Sequence, residues 1–100
     1  MDSLGDKIRK LRESRELPLR KVAAFLDIDQ AILSKIERGQ RKPTREQVLK
    51  LADYFKLKQN DLLLEWLSDK LVYELEDESG ALKALQIAEA KIKYRKRKNK

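Results

Sequence analysis

Neither cysteine nor histidine occurs in this 100-residue chain. Without cysteine there is no disulfide framework and no thiolate site, and without histidine the commonest metal ligand and general base are missing. No metal or other cofactor is expected, and catalysis would rest on carboxylates, hydroxyls or lysines alone. Glycine is almost as scarce, at 3 residues, which leaves little material for a loop that cradles phosphates. An enzyme is accordingly disfavoured. No apolar stretch approaches the roughly 20 residues that span a bilayer, and Met1 to Lys7 lacks the basic and apolar regions of a signal peptide. A cytoplasmic location with no membrane partner is expected.

What the chain has in abundance is positive charge. Lysine and arginine number 24 against 17 acidic residues, a net charge of +7 with an isoelectric point near 9.7, a balance common in nucleic-acid binders. Its distribution is segmented: 15 basic and 10 acidic side chains lie in residues 1–64, 2 and 7 in residues 65–90, and 7 and 0 in residues 91–100. Both ends attract phosphate and the middle repels it. A chain of this size supports one modest core, so association with a partner is a natural source of further stability.

No segment alternates apolar and polar residues, whereas apolar residues recur at three- and four-residue steps, so the fold class is all-α. Leu4, Ile8 and Leu11 mark a first helix that fades around Glu13 to Glu16. Pro18 suits the first turn of a second helix carrying Val22, Ala23, Phe25 and Leu26. A tight turn at Asp27-Ile28-Asp29 follows, with Asp29 placed to cap a third helix from Gln30 to Arg38 and Gly39 placed to close it. After the basic loop Gln40-Arg41-Lys42-Pro43, Thr44 and Gln47 form a capping-box pattern that opens a fourth helix with the apolar face Val48, Leu51, Ala52 and Phe55. A short fifth helix carries Leu62 and Leu63. Trp66, Leu67, Leu71 and Leu75 suggest a sixth, ended by Glu76 to Gly80, and Leu82, Leu85, Ala88 and Ile92 a seventh that frays after about Tyr94.

Two helices separated by about three residues, the second ending in glycine, describe a helix-turn-helix. The stretch from Leu4 to Leu63 resembles the phage-repressor-like regulators, the Cro-type or xenobiotic-response-element class. The matching residues are Leu4 to Arg12, Val22-Ala23, Ile28-Asp29, Leu33-Ser34-Lys35-Ile36-Glu37-Arg38-Gly39, Pro43, Leu51-Ala52 and Asp61-Leu62-Leu63. The resemblance implies a five-helix DNA-binding bundle over residues 1–64, to which this chain adds one or two C-terminal helices. It also implies that Arg12 and Glu37 form an ion pair between helices one and three. Two positions depart from the family pattern: Leu19 stands where glutamine usually begins helix two, and Asp27 replaces the turn glycine.

At about 100° per residue, Gln30, Ala31, Ser34, Lys35 and Arg38 fall within an arc of about 140°, with Leu33 and Ile36 opposite. The first group is expected to face the major groove of double-stranded DNA. Gln30 suits adenine, Lys35 suits guanine and Ala31 is small enough to meet a thymine methyl; the resemblance implies base reading at these same positions. Phosphate contacts are expected from Ser34, Arg38, Arg41, Lys42 and Arg45, with Arg20 and Lys21 as further candidates.

Beyond the resemblance, residues 65–92 form an acidic helical extension and residues 93–100 a basic tail. Trp66, Leu67, Leu71, Leu75, Leu82, Leu85 and Ile92 either cover the bundle of the same chain or form a dimer or partner surface. The tail either follows the DNA backbone or is an idle solubilising end. The leading expectation is a transcriptional regulator, most simply a repressor, acting in the cytoplasm at the nucleoid as a homodimer on a pseudo-palindromic operator. The alternative is an antitoxin that uses the extension to mask a protein partner, a toxin.

Overall fold

The computed structural model describes residues 2–99, and every regular element among the described residues is an α-helix: α1 (Leu4–Ser14), α2 (Leu19–Leu26), α3 (Gln30–Glu37), α4 (Arg45–Phe55), α5 (Gln59–Leu75) and α6 (Ala81–Lys98). The all-α class agrees with the sequence, with one helix fewer than the periodicity predicts. The expected fifth and sixth helices are one continuous element, α5. No glycine or proline interrupts residues 59–75, and leucine, glutamate and lysine are all good helix formers. The last helix also outruns its expected end near Tyr94 and continues to Lys98. Lysine and arginine lose little rotamer freedom in a helix, and cations offset the negative pole of its dipole.

The boundaries of the first four helices follow from local chemistry. At the start of α1 the Ser3 hydroxyl accepts from the Asp6 amide at 3.2 Å, and the Asp6 carboxylate accepts from the Ser3 amide at 3.3 Å. Thr44 and Gln47 make the same reciprocal pair at the start of α4, at 3.1 and 2.9 Å, as the capping-box pattern predicts. Pro18 precedes α2, where its fixed φ suits helix entry. Asp27 then closes α2 in the left-handed region, at φ 57°. Asp29 occupies the cap of α3 as expected, yet its side chain makes no capping bond. Its backbone carbonyl instead accepts from Ile32 and Leu33 at 3.0 and 3.1 Å.

The chain divides into two compact units, one up to Lys70 and one from Leu71, with the boundary inside α5. In the first unit α1 packs on α3, and α2 packs on α3 and α4. Their inner faces supply one core, including Ile8, Val22, Leu33, Val48, Leu51 and Phe55, all essentially inaccessible to water. Burying each such side chain contributes on the order of 1.5 to 3 kcal/mol before the entropic cost of ordering it. Phe25, grouped by sequence with Val22, Ala23 and Leu26 on the second helix, is 46% exposed. Val22, Ala23 and Leu26 define the buried arc of α2, and Phe25 falls outside it, with its ring against Tyr54 at 4.7 Å.

The first part of α5 is fastened to this core by Leu62 and by Trp66, which is only 7% exposed. The Trp66 indole donates to the Pro43 carbonyl at 2.8 Å, Lys7 pairs with Glu65 at 2.8 Å, and the Asp69 carboxylate accepts from the Leu4 amide at 2.8 Å. Trp66 is therefore part of the intrachain core and is corrected out of the candidate dimer or partner surface. An indole of this size with a polar edge is well satisfied where one end is dry and the other finds a carbonyl.

The second unit contains the last turn of α5, the connection 76–80 and α6. Its connection is held by backbone bonds, Glu78 to the Leu75 carbonyl at 2.9 Å and Ala81 to the Glu78 carbonyl at 3.2 Å. Among the described residues from Leu71 onward none is buried, and only Leu75, Ala81 and Leu85 are half-buried. A helical segment that buries so little of its apolar stripe gains little tertiary stabilisation by itself.

The approach of α1 to α3 depends on Gly5. A Cβ built there would collide with the Ile36 carbonyl oxygen and lie 2.8 Å from that of Glu37. Backbone, unlike a flexible side-chain tip, cannot move aside without shifting a helix. Gly5→Ala is therefore expected to lower stability by about 1 to 3 kcal/mol, read by urea unfolding. Gly80→Ala, which meets nothing within 4 Å, should change stability by under about 1 kcal/mol; equal effects of the two would refute the close-approach account.

Candidate nucleic-acid interface

The site is built on α3 and on what holds it. α3 divides sharply: Leu33, Ile36 and Glu37 are buried, Ser34 is half-buried, and Gln30, Ala31 and Lys35 are exposed, as is Arg38 at its C-terminal cap. The exposed residues are four of the five that the periodicity placed on one arc; the fifth, Ser34, is half-buried. The α2–α3 connection, residues 27–29, is short because Asp27 adopts the left-handed conformation that glycine usually supplies, tolerated by a short polar side chain. Gly39, at φ 75°, ends α3, and Gln40 donates back to the Lys35 carbonyl at 2.8 Å. This closure satisfies carbonyls that the helix end would otherwise leave unpaired.

Beneath α3 lies a two-point ion pair. The Arg12 Nε donates to one Glu37 oxygen at 2.8 Å and an Arg12 terminal nitrogen donates to the other at 3.0 Å. The third arm of the guanidinium donates to the Leu17 carbonyl at 3.0 Å. Glu37 is 3% exposed and the Arg12 side chain 16%, so the pair is shielded from water. The hydrogen bonds that Arg12 donates to Glu37 raise the Arg12 pKa above its ordinary value, against the opposing effect of burial. Because the value is raised, the charge-dependent stability is fully present below the unfolded pKa. It is lost only as pH rises through the folded one, above the range where proteins are handled.

The basic candidates occupy three places. Arg20 and Lys21 are exposed in the first turn of α2, whereas Leu19 is half-buried and packs against the core. Leu19 thus serves the interior, and the cation beside it is what the surface presents. Arg41 and Lys42 are exposed in the α3–α4 connection. Arg45 is exposed as the first residue of α4, its guanidinium 5.2 Å from the Trp66 ring, a distance suited to cation–π attraction. Arg38 packs back on its own helix, Nε donating to the Ser34 carbonyl at 3.4 Å. Of the extension's candidate residues, Trp66 is brought against this group, through Pro43 and Arg45. Leu67 and Leu71 are exposed on α5, Leu82 and Ile92 are exposed on α6, and Leu75 and Leu85 are half-buried.

Two residues that serve the site were not assigned that service by sequence reasoning. Trp66 holds both the connection, through Pro43, and Arg45, through its ring. Gly5 admits the close approach of α1. Among the described residues no group of three or more carboxylate, histidine or cysteine side chains is placed to hold a metal.

This arrangement, two short helices joined by a three-residue turn with the second closed by a glycine, has a counterpart in a known family. Residues 8–58 match the family model described as Helix-turn-helix. The chain belongs to the helix-turn-helix family. It is 34% identical over 64 residues to the HTH-type transcriptional repressor RghR of Bacillus subtilis (strain 168), covering 63% of this chain and 47% of that one. The chain therefore spans about half the length of this curated relative. Two solved structures share its fold. The clp gene regulator ClgR from Corynebacterium glutamicum matches with a TM-score of 0.55 at 25% identity, over 89% of this chain and 84% of that one. A chain of a SinR protein/SinI protein complex matches with a TM-score of 0.54 at 22% identity, over 93% and 97%. In this helix-turn-helix, α2 is the first helix of the pair and α3 the second.

The ion pair predicts an asymmetric mutational response. Arg12→Ala strands the buried Glu37 carboxylate and is expected to cost about 3 to 5 kcal/mol, measured by urea unfolding. Arg12→Lys should recover only part of that, because an ammonium cannot make the two-point contact. A loss under about 1 kcal/mol for Arg12→Ala would mean that Glu37 reaches water in the variant.

Proposed function

We propose that this helix-turn-helix protein is a sequence-specific duplex-DNA-binding transcriptional regulator, acting as a repressor, and that it reads a pseudo-palindromic operator as a homodimer. The observation that carries this reading is the divided surface of α3: an exposed outer face, Gln30, Ala31, Lys35 and Arg38, on a helix held from beneath by a buried ion pair. Gln30 offers a donor and an acceptor in one plane for adenine, Lys35 donates to guanine O6 or N7, and Ala31 leaves room for a thymine methyl. Arg20, Lys21, Ser34, Arg38, Arg41, Lys42 and Arg45 supply contacts to phosphate, which fix register without reading sequence. This is a binding protein and not an enzyme. Among the described residues no helix is long and apolar enough to cross a membrane, which accords with action in the cytoplasm at the nucleoid.

Dimerisation is supported by the extension. Leu67 and Leu71 are exposed large apolar residues of α5, at 41% and 49%. With Leu75, Leu82, Leu85 and Ile92 they provide apolar surface that a second copy would cover. A dimer places two recognition helices about 34 Å apart, matching successive major-groove faces. The same exposed leucines support a second reading, an antitoxin whose residues 65–92 mask a toxin. Mass in solution separates the two: a dimer on its own favours the first, and a monomer up to high concentration the second.

Selection from a randomised duplex library at about 150 mM salt, where non-specific contacts weaken, is expected to return a two-fold motif with half-site centres about 10 base pairs apart. Gln30→Ala and Lys35→Ala should each cost about 1 to 3 kcal/mol on that site and relax preference at one base position. Enrichment of no motif would overturn operator reading. Leu71→Glu should convert the dimer to monomer by light scattering, and a variant that stays dimeric would remove the extension from the interface.

A further inference from the structure

The strongest unabsorbed feature is the C-terminal half of α6. Residues 91–98 contain Lys91, Lys93, Arg95, Lys96, Arg97 and Lys98 and no acidic residue, and all are exposed. These cations are carried on ordered helix through Lys98, so their spacing is fixed. Among the described residues the pair Lys93–Glu89, at 3.6 Å, is the one ion pair these side chains make. The helix dipole rewards cations only in the last turn, yet the run occupies two turns. Within it Lys91 and Arg95, and Lys93 and Arg97, stand four residues apart, where like charges repel and weaken the helix. An external anion would relieve that repulsion.

The pattern also selects the kind of anion. Helices that lie on lipid segregate an apolar face from a charged one. Here the six cations project around the whole circumference, and the two large apolar side chains among them, Ile92 and Tyr94, fall on opposite sides of the helix. A bilayer would meet charge on whichever side it touched. A polyanion of closely spaced phosphates, by contrast, needs no apolar face and binds by releasing its own counterions. We propose that residues 91–98 of α6 are a second DNA-binding element, which contacts the duplex phosphate backbone without reading sequence. This rests on the reading of the protein as a DNA binder and adds to it a source of affinity separate from α3.

The element is tested by the salt dependence of binding in the full chain. A variant with Lys93→Gln, Lys96→Gln, Arg97→Gln and Lys98→Gln keeps good helix formers at each position, and its helix content is checked by circular dichroism. Affinity for a duplex of unrelated sequence is then measured between about 50 and 200 mM salt. The slope of log affinity against log salt is expected to flatten by about 0.9 for each phosphate contact removed. The base motif selected from a random library should stay unchanged. An unchanged slope in a correctly folded variant overturns the proposal while leaving α3 as the reader. Absence of duplex binding by the unmodified chain even at low salt overturns both readings. Binding of the unmodified chain to anionic phospholipid vesicles, lost in the variant while the DNA slope stays the same, overturns it in favour of a membrane surface.

Discussion

The fork between Arg12 and Glu37 is the contact on which the rest of the site depends. An eight-residue helix such as α3 does not persist alone, because nucleation costs more than so few hydrogen bonds return. Leu33 and Ile36 bury it against the core, but apolar contact is non-directional and leaves a short helix free to rotate or slide. The two parallel bonds from Arg12 to Glu37 remove that freedom, since a planar guanidinium and a planar carboxylate match in one geometry. The remaining arm of Arg12 reaches the Leu17 carbonyl, so a single side chain joins α1, the α1–α2 connection and α3. Gly5 completes the arrangement by letting the α1 backbone approach the last carbonyls of α3. A buried pair of this kind costs desolvation energy and is weak evidence for net stability. What it supplies here is orientation, which the proposed base-reading face requires.

The same division of labour appears at the edge of the site. Trp66 belongs to α5, yet it fixes the connection that follows α3 through Pro43 and lies under the guanidinium of Arg45. The start of the extension is thus part of the support for the basic loop. Glu65 and Asp69 tie the same turns of α5 to α1. Trp66 is the last buried residue of the first core, and beyond it the described residues of α5 and α6 are exposed or half-buried.

Much of this was legible in the sequence because it is local. Capping residues at Thr44 and Gln47, a left-handed aspartate at Asp27, a closing glycine at Gly39 and the apolar arc of each helix all act within a few residues of where they are written. What was illegible depended on distance or on absence. Periodicity weakens near Leu63, which invites a helix boundary, but no residue there breaks a helix, and α5 runs through. Trp66 reads equally as core or as interface until Pro43, 23 residues away, is seen to receive its indole. The service of Gly5 is invisible because it consists of a missing Cβ opposite Ile36 and Glu37. The Arg12–Glu37 pair, 25 residues apart, became readable only through a family pattern, since spacing alone does not join two charges across a bundle.

Under the proposed reading, the charge of the chain separates affinity from specificity. Among the residues assigned to bases, Gln30 and Ala31 carry no charge and Lys35 carries one, so base reading draws little on bulk electrostatics. Nearly all of the surplus positive charge lies elsewhere, in Arg20, Lys21, Arg38 to Arg45 and the end of α6, where contact with any phosphate serves equally well. Between them residues 65–90 hold 7 acidic and 2 basic side chains, which repel a duplex and leave the leucines of α5 and α6 for protein contact. A chain patterned this way is attracted to duplex DNA generally, stops where α3 finds matching bases, and keeps its apolar surface away from the polyanion. The local order of that polar face, set by one buried ion pair, is then what converts a general attraction into a choice of site.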